Sequence, residues 1–493
     1  MRALHPAHAA QRRPTPTQTV SARPEDSTFR YQQLADRLAK DLLDGRCAAG
    51  TRLPSVRSLC ELHAASLATV THALHRLEDA GLIEARPRLG FFVRANAPTA
   101  TALTASPRAA DALDLRRERL MALAASQDDL LSLGHLALPE ELLPLAALRR
   151  LTQARLREPG WAEGSVAGSP RLRATLAERL VKRGCRVGAE DVVVTHGEGE
   201  SLQLCLRELT RAGDRVAVTR PVSLRTLEVL LSMGLTVEEL PAASDGHEVA
   251  QALEALSRSK PIAVCIAHVG LSAAMGTAWL ESARAALVAV CGRQALPLID
   301  CDLLGELPIG AEWPKPLKAF DEDDRVIHCA SLDCVTGIGM SFGWIASGRH
   351  RLQMRAARAV QGELLPALTD GVLADFLGGD AADRHLRRLR QQLGRRVRAW
   401  REAALAYLPP GTTVHHGPLG HQLWVRLPGG LDALELLARA RRKGINFVPG
   451  PVFTTGRDFD DCFRLTAGHA LDARRGAALR VLGELARELL GGR

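Results

Sequence analysis

The sequence predicts a multidomain chain: an N-terminal winged helix-turn-helix, then a larger α/β domain that carries a small C-terminal α+β lobe. Three observations carry this. The 493 residues are too many for one ordinary domain. Apolar residues at helical spacing between residues 31 and 80 give way to two short apolar strands around a turn, and beyond residue 130 apolar runs alternate with amphipathic helices. With 46% hydrophobic and 24% charged residues the chain can bury a sizeable core, which excludes a disordered polymer.

Residues 1–27 are rich in Pro, Thr and Arg without apolar period and read as a flexible tail. Residues 28–95 form the predicted DNA-reading head. Leu34, Leu38, Leu42 and Leu43 place a first helix that Gly45 closes. A short helix spans Ser55 to Leu62, and a longer one opens at Ser66 and turns Val70, Leu74 and Leu77 inward. Strands at 82–85 and 91–93 then flank the turn Arg86 to Gly90. Residues 96–129, rich in Ala, Thr, Pro and Ser, read as a linker.

Residues 130–493 make the second domain, with a large lobe to about residue 380 and a small lobe from 381. The runs DVVVTHG, RVAVTRP, IAVCIAHV, LPLIDCD, VIHCASL and FGWIAS are strands, several followed by helices, which implies a mostly parallel sheet. The small lobe takes TTVHHG, QLWVRLP, a helix over 431–443, INFVPG, CFRLTAG and a terminal helix. The Arg-rich stretch HLRRLRQQLGRRVR reads as the solvated face of a long helix.

The net charge of +9 favours an acidic partner such as nucleic acid. The ten Cys show neither CxxC pairs nor a zinc-finger spacing, so reduced thiols in a cytoplasmic protein are expected, and no apolar run is long enough for a secretory signal or a membrane span. A helix fits the major groove with small polar residues at its N-terminus near base edges, while Arg binds phosphate. Ser66, Thr69 and Thr71 open the third helix, Arg57 sits on the preceding one, and the wing turn offers Arg86, Arg88 and Gly90. Taken singly, Ser66 serves equally well as a helix cap.

The stretch GTRLPSVRSLCELHAASLATVTHALHRLEDAGLIEARPRLGFFV resembles the winged-helix domain of GntR-type bacterial repressors. The resemblance implies that Arg57, Ser66, Thr69, Thr71 and Gly90 contact a double-stranded DNA operator. The remainder resembles the fold-type I aminotransferase domain that follows a GntR domain in MocR-type regulators, through GSPRLRATLAERLVKRG, VVVTHGEGESL, AGDRVAVTRP, LPLIDCDLLGELPIG, PLKAFDEDDRVIHCASL, GINFVPGPVF and FRLTAGHALD. That resemblance implies a head-to-tail homodimer and a site for pyridoxal 5'-phosphate.

The chemistry of that cofactor needs an amine for a Schiff base, an acid at the pyridine nitrogen, polar groups on the ring hydroxyl and an anion site for the phosphate. The resemblance places Cys334 at the lysine position, Cys301 at the pyridinium acid, Ala273 at the ring-hydroxyl Asn, Ser223 at the stacking aromatic and Leu304 at the ring-contacting Tyr. In the phosphate turn Glu198 stands beside Gly197, Ser341 takes an Arg position, and Glu163 takes that of an aromatic reaching across the dimer. A chain with six Lys and only two Tyr, Tyr31 and Tyr407, is short of two residue types that such a site uses. Ser331 survives as a hydroxyl donor. Arg464 matches the carboxylate clamp, a planar bidentate donor, although an Arg tying one lobe to the other would look the same. Cys301 and Cys334 either fill space left by lost groups or act as reactive thiols.

The expectation is a dimeric DNA-binding regulator without a Schiff-base cofactor, its pocket open to a carboxylate-bearing effector. The alternative is a regulator that still binds pyridoxal phosphate, or an active aminotransferase.

Overall fold

The computed structural model describes residues 34, 35, 38, 50–63, 65–79, 82–86, 90–93, 130–242, 246–270, 279–309 and 313–491. The tail, the linker, Arg88 and Ala273 lie outside the described residues. The chain divides into two compact units, Met1–Ala110 and Asp111–Arg493.

In the first unit α1 (Val56–His63) and α2 (Leu67–Asp79) are followed by the antiparallel pair β1 (Ile83–Arg86) and β2 (Gly90–Val93). Leu59, Val70, Ala73, Leu74, Leu77, Ile83 and Val93 close its core. The segment before α1 joins the wing: Gly50 N donates to Val93 O and Val93 N to Thr51 O, both at 2.9 Å, and Leu53 N donates to Phe91 O at 2.9 Å. Gly90 turns at φ 101°, which only glycine adopts without strain.

The second unit is built on a seven-stranded sheet. After the short strands β3 (Leu131–Ser132) and β4 (Gly164–Ser165), its strands in chain order are β5 (Val192–Thr195), β6 (Arg215–Val218), β7 (Thr236–Glu239), β8 (Val264–Ala267), β9 (Leu298–Cys301), β10 (Val326–Ser331) and β11 (Gly343–Ala346). They lie in the order β5-β11-β10-β9-β8-β6-β7, parallel except for β11, which runs antiparallel to both neighbours. Buried runs such as VVVT and VIHCAS are what a sheet covered on both faces requires. The edge strand TVEE was not expected, because its exposed Thr and half-buried Glu carry no apolar signal. The small lobe pairs Thr413–His415, Gln422–Arg426, Cys462–Thr466 and Val448–Pro449 into an antiparallel sheet.

The two lobes interlace rather than parting at residue 380. Leu131–Ser132 pairs with Ile445–Asn446 of the small lobe, and Leu133 sits in that lobe's core. One long helix, Asp380–Tyr407, contributes Leu386, Leu389 and Leu393 to the large-lobe core and Val397, Trp400 and Ala404 to the small one. Within the Arg-rich stretch, Arg387, Arg388, Arg395 and Arg398 form the exposed, solvated face of this helix.

Beneath the sheet's C-terminal edge lies a buried polar network. Arg183 Nη1 pairs with Asp302 Oδ2 at 2.7 Å, His328 Nδ1 meets Asp300 Oδ2 at 3.0 Å, and Leu317 N donates to Asp300 Oδ2 at 2.9 Å. Burial opposes ionisation of Asp302, yet Arg183 and then His328 hold its carboxyl below the usual range. Replacing Arg183 by Met strands that carboxylate, and denaturant unfolding should show a loss of about 3–5 kcal/mol. The double variant Arg183→Met, Asp302→Leu should recover most of it.

Candidate functional site

Two sites follow from the two units. In the winged helix, Ser66 precedes α2 and its Oγ accepts from Thr69 N at 3.2 Å while lying 2.8 Å from Thr69 Oγ1; Thr71 Oγ1 donates to Leu67 O at 2.8 Å. The hydroxyls at the start of the helix thus stabilise its first turn, and Ser66 stays exposed. Arg57 is exposed on α1. Arg86 is engaged on its own hairpin, with Nε donating to Glu84 Oε1 at 2.8 Å and the guanidinium 4.5 Å over the Phe92 ring. Sequence reasoning passed over Arg52, an exposed residue that bridges to Phe92 and whose guanidinium approaches Gly90. Its position in GTRLP, just before α1, was the available signal.

The second site is a cavity of about 600 Å³ where loops leave the sheet's C-terminal edge and meet the small lobe. Of the expected pocket residues, Glu198, Ser223, Cys301, Cys334 and Arg464 line it, as do Leu304 and Ser341. Ser331 does not. It ends β10 as a buried residue whose Oγ is enclosed without a hydrogen-bond partner.

The register of β9 settles which of three neighbouring residues faces the cavity. Asp300 and Asp302 point to the polar network described above, so Cys301 alone faces inward. Burial, with Glu198 next, raises its thiol well above the ordinary range, and burial pushes Cys334 up to about 12. Among the described residues, no lysine lines the cavity. Lys315 and Lys318, near in sequence, pair instead with Glu281 and with Asp321 and Asp324.

Glu198 opens the helix α3 (Glu198–Leu209), whose cap is Gly197 at φ 120°. A helix N-terminus carries partial positive charge and attracts an anion, and here the helix supplies its own carboxylate. Burial raises that carboxyl to about 7, with Arg225 at the cavity mouth opposing. Glu200 is committed elsewhere, accepting from His196 N at 2.5 Å and meeting the buried Arg358 at 3.2 Å. Ser223 caps the helix Leu224–Ser232 by accepting from Thr226 N at 3.1 Å.

Across the cavity, Arg464 on strand Cys462–Thr466 donates from Nη2 to Gly134 O at 3.0 Å and lies 5.2 Å over the Phe453 ring. Its Nε is buried without a partner, and burial lowers the guanidinium to about 10. Sequence reasoning missed His268, which follows β8 inside the run IAVCIAHV. Its Nε2 lies 2.9 Å from Thr226 Oγ1, and burial lowers it to about 4.

Residues 30–93 match the model of the bacterial regulatory proteins of the gntR family. The second unit has the fold of the kynurenine aminotransferase of Pyrococcus horikoshii, with a TM-score of 0.68 and 25% identity over 76% of this chain and 95% of that one. Together these define a GntR-type helix-turn-helix transcriptional regulator with an aminotransferase-like domain. The chain is 34% identical over 478 residues to the HTH-type transcriptional regulator YdcR of Escherichia coli strain K12, covering 94% of this chain and all of that one. It is 26% identical over 433 residues to the probable rhizopine catabolism regulatory protein MocR of Rhizobium meliloti, covering 85% and 86%. The chain belongs to this family of MocR-type regulators.

Among the described residues, no helix is long and apolar enough to cross a membrane.

Proposed function

We propose that the chain regulates transcription from the cytoplasm as a homodimer. Its winged helix reads a double-stranded operator, and its aminotransferase-like domain receives a carboxylate-bearing effector without forming a Schiff base. The observation that carries this reading is the cavity wall, which among the described residues offers thiols at Cys301 and Cys334 and no lysine, yet keeps Arg464 with an unpartnered Nε. A guanidinium on the wall of such a cavity suits a carboxylate.

Pyridoxal 5'-phosphate, which the fold family implies, does not fit these residues. Cys301 offers no charge to a pyridinium, Cys334 no amine, and Glu198 puts a carboxylate at the helix N-terminus where a phosphate dianion would need donors. Ser341 Oγ already donates to Asp333 Oδ1 at 2.5 Å. Dimerisation draws support from exposed apolar side chains beside the paired strands Gly164–Ser165 and Leu365–Pro366: Trp161, Val166, Val360 and Leu364.

On the DNA side, Arg57 and Arg52 supply phosphate contacts and the exposed start of α2 meets base edges. The protein should shift its own upstream DNA at moderate salt, and failure of a folded preparation to do so would overturn the reading. Arg57→Ala should weaken binding about equally across sequences and flatten the slope of log affinity against log salt by about 1.

Equilibrium dialysis should find pyridoxal phosphate bound no tighter than about micromolar, and borohydride should leave no reduced cofactor on the chain. An aldimine absorption band would restore the aminotransferase reading. With a panel of amino and 2-oxo acids, a true effector at a hundred times its Kd should stabilise the protein by about 2.7 kcal/mol in thermal unfolding. Arg464→Ala should lose that stabilisation while still binding DNA.

A further inference from the structure

One ring nitrogen of His268, Sγ of Cys301 and a carboxylate oxygen of Glu198 all lie within 4.8 Å of one another at the cavity wall. From this cluster we infer that the aminotransferase-like domain holds a divalent transition-metal ion, Zn²⁺ by its donor set, in the space near Cys301. The site does not depend on what the winged helix reads.

The chemistry of the three donors is specific. Thiolate with imidazole selects a borderline-soft ion, and one carboxylate is compatible with it, whereas Mg²⁺ and Ca²⁺ prefer oxygen throughout. Three protein donors leave a fourth tetrahedral position, and it opens into the cavity that Arg464 lines. Metal–ligand bonds of about 2.0–2.3 Å place tetrahedral donors roughly 3.4–3.7 Å apart, so closing on an ion draws the three atoms in by about 1 Å. Rotation of the Glu198 side chain, the least buried of the three, supplies most of that movement.

The donors come from three separate elements of the sheet edge. Cys301 ends β9, His268 follows β8, and Glu198 opens α3. The imidazole is held from behind, with Nε2 at 2.9 Å from Thr226 Oγ1 and that hydroxyl 2.8 Å from Ser223 Oγ, while His268 N donates to Thr219 Oγ1 at 2.9 Å. A metal-binding His is fixed in this way through its second nitrogen. When the metal–sulfur bond forms, the Cys301 proton leaves to solvent. The two anionic donors then balance the dication, and the neutral imidazole adds no charge.

The test uses the full chain, stripped with a chelator and titrated with Co²⁺. One equivalent should bind with a sulfur-to-cobalt charge-transfer band and intense tetrahedral visible absorption, and Zn²⁺ should bleach both. Cys301→Ser should abolish the charge-transfer band, and His268→Gln and Glu198→Gln should each weaken Co²⁺ binding at least tenfold. Circular dichroism of the metal-free variants checks folding; should Cys301→Ser not fold, the two other variants decide. Cobalt bound without a charge-transfer band overturns the inference. So does a band that survives in Cys301→Ser, or one lost in Cys334→Ser instead.

Discussion

Side-chain alternation at the end of β9 governs what the cavity can do. Asp300 and Asp302 face away from it and are spent on His328, the Leu317 amide and Arg183, which leaves Cys301 as the residue facing in. A shift of one residue would place a carboxylate in the cavity and a thiol in the ion-pair network. The network forbids that shift, because a buried Arg183 without its partner costs several kcal/mol. The carboxylates of Asp300 and Asp302 therefore stabilise the sheet edge, and at this end of β9 the cavity's chemistry falls to Cys301 and the groups beside it, His268 and Glu198.

The same economy holds at the small lobe. Leu131–Ser132 pairs with Ile445–Asn446, Val222 N donates to Phe453 O at 2.9 Å, and the helix Asp380–Tyr407 contributes to both cores. Movement of one lobe against the other must therefore bend a helix of 28 residues or break strand pairing. Phe453 and Arg464 sit at this junction. A ligand on Arg464 would bias its geometry, which gives an effector a physical route to differential binding of two arrangements.

Much of this was legible in the sequence. The winged helix came through because Leu59, Val70, Leu74 and Leu77 keep helical spacing and Gly90 marks a turn that needs positive φ. The six other strands of the sheet announced themselves as apolar runs, while β7 did not, since an edge strand of Thr, Val and two Glu has no such run. The cavity positions of Cys301, Cys334, Ser223, Glu198 and Arg464 followed from motif order. Ser331 was misplaced because a hydroxyl in a motif says nothing about whether a neighbouring wall covers it. His268 was unreadable for a different reason: a lone His in IAVCIAHV looks like a core residue, and only the convergence of β8, β9 and α3 brings it to Cys301 and Glu198.

The polarity of the cavity argues against a domain kept only as a scaffold. A dimerising shell gains nothing from an Arg464 Nε without a partner, and each unsatisfied buried group costs about 1–3 kcal/mol. Filling the space with Leu or Phe would remove that cost and add apolar contact. Instead the wall keeps Arg464 over Phe453, a hydrogen-bonded His268, and Glu198 near Cys301, around a space of about 600 Å³. A volume in that range, with a few converging polar groups on a rigid sheet edge, is the form of a small-molecule site.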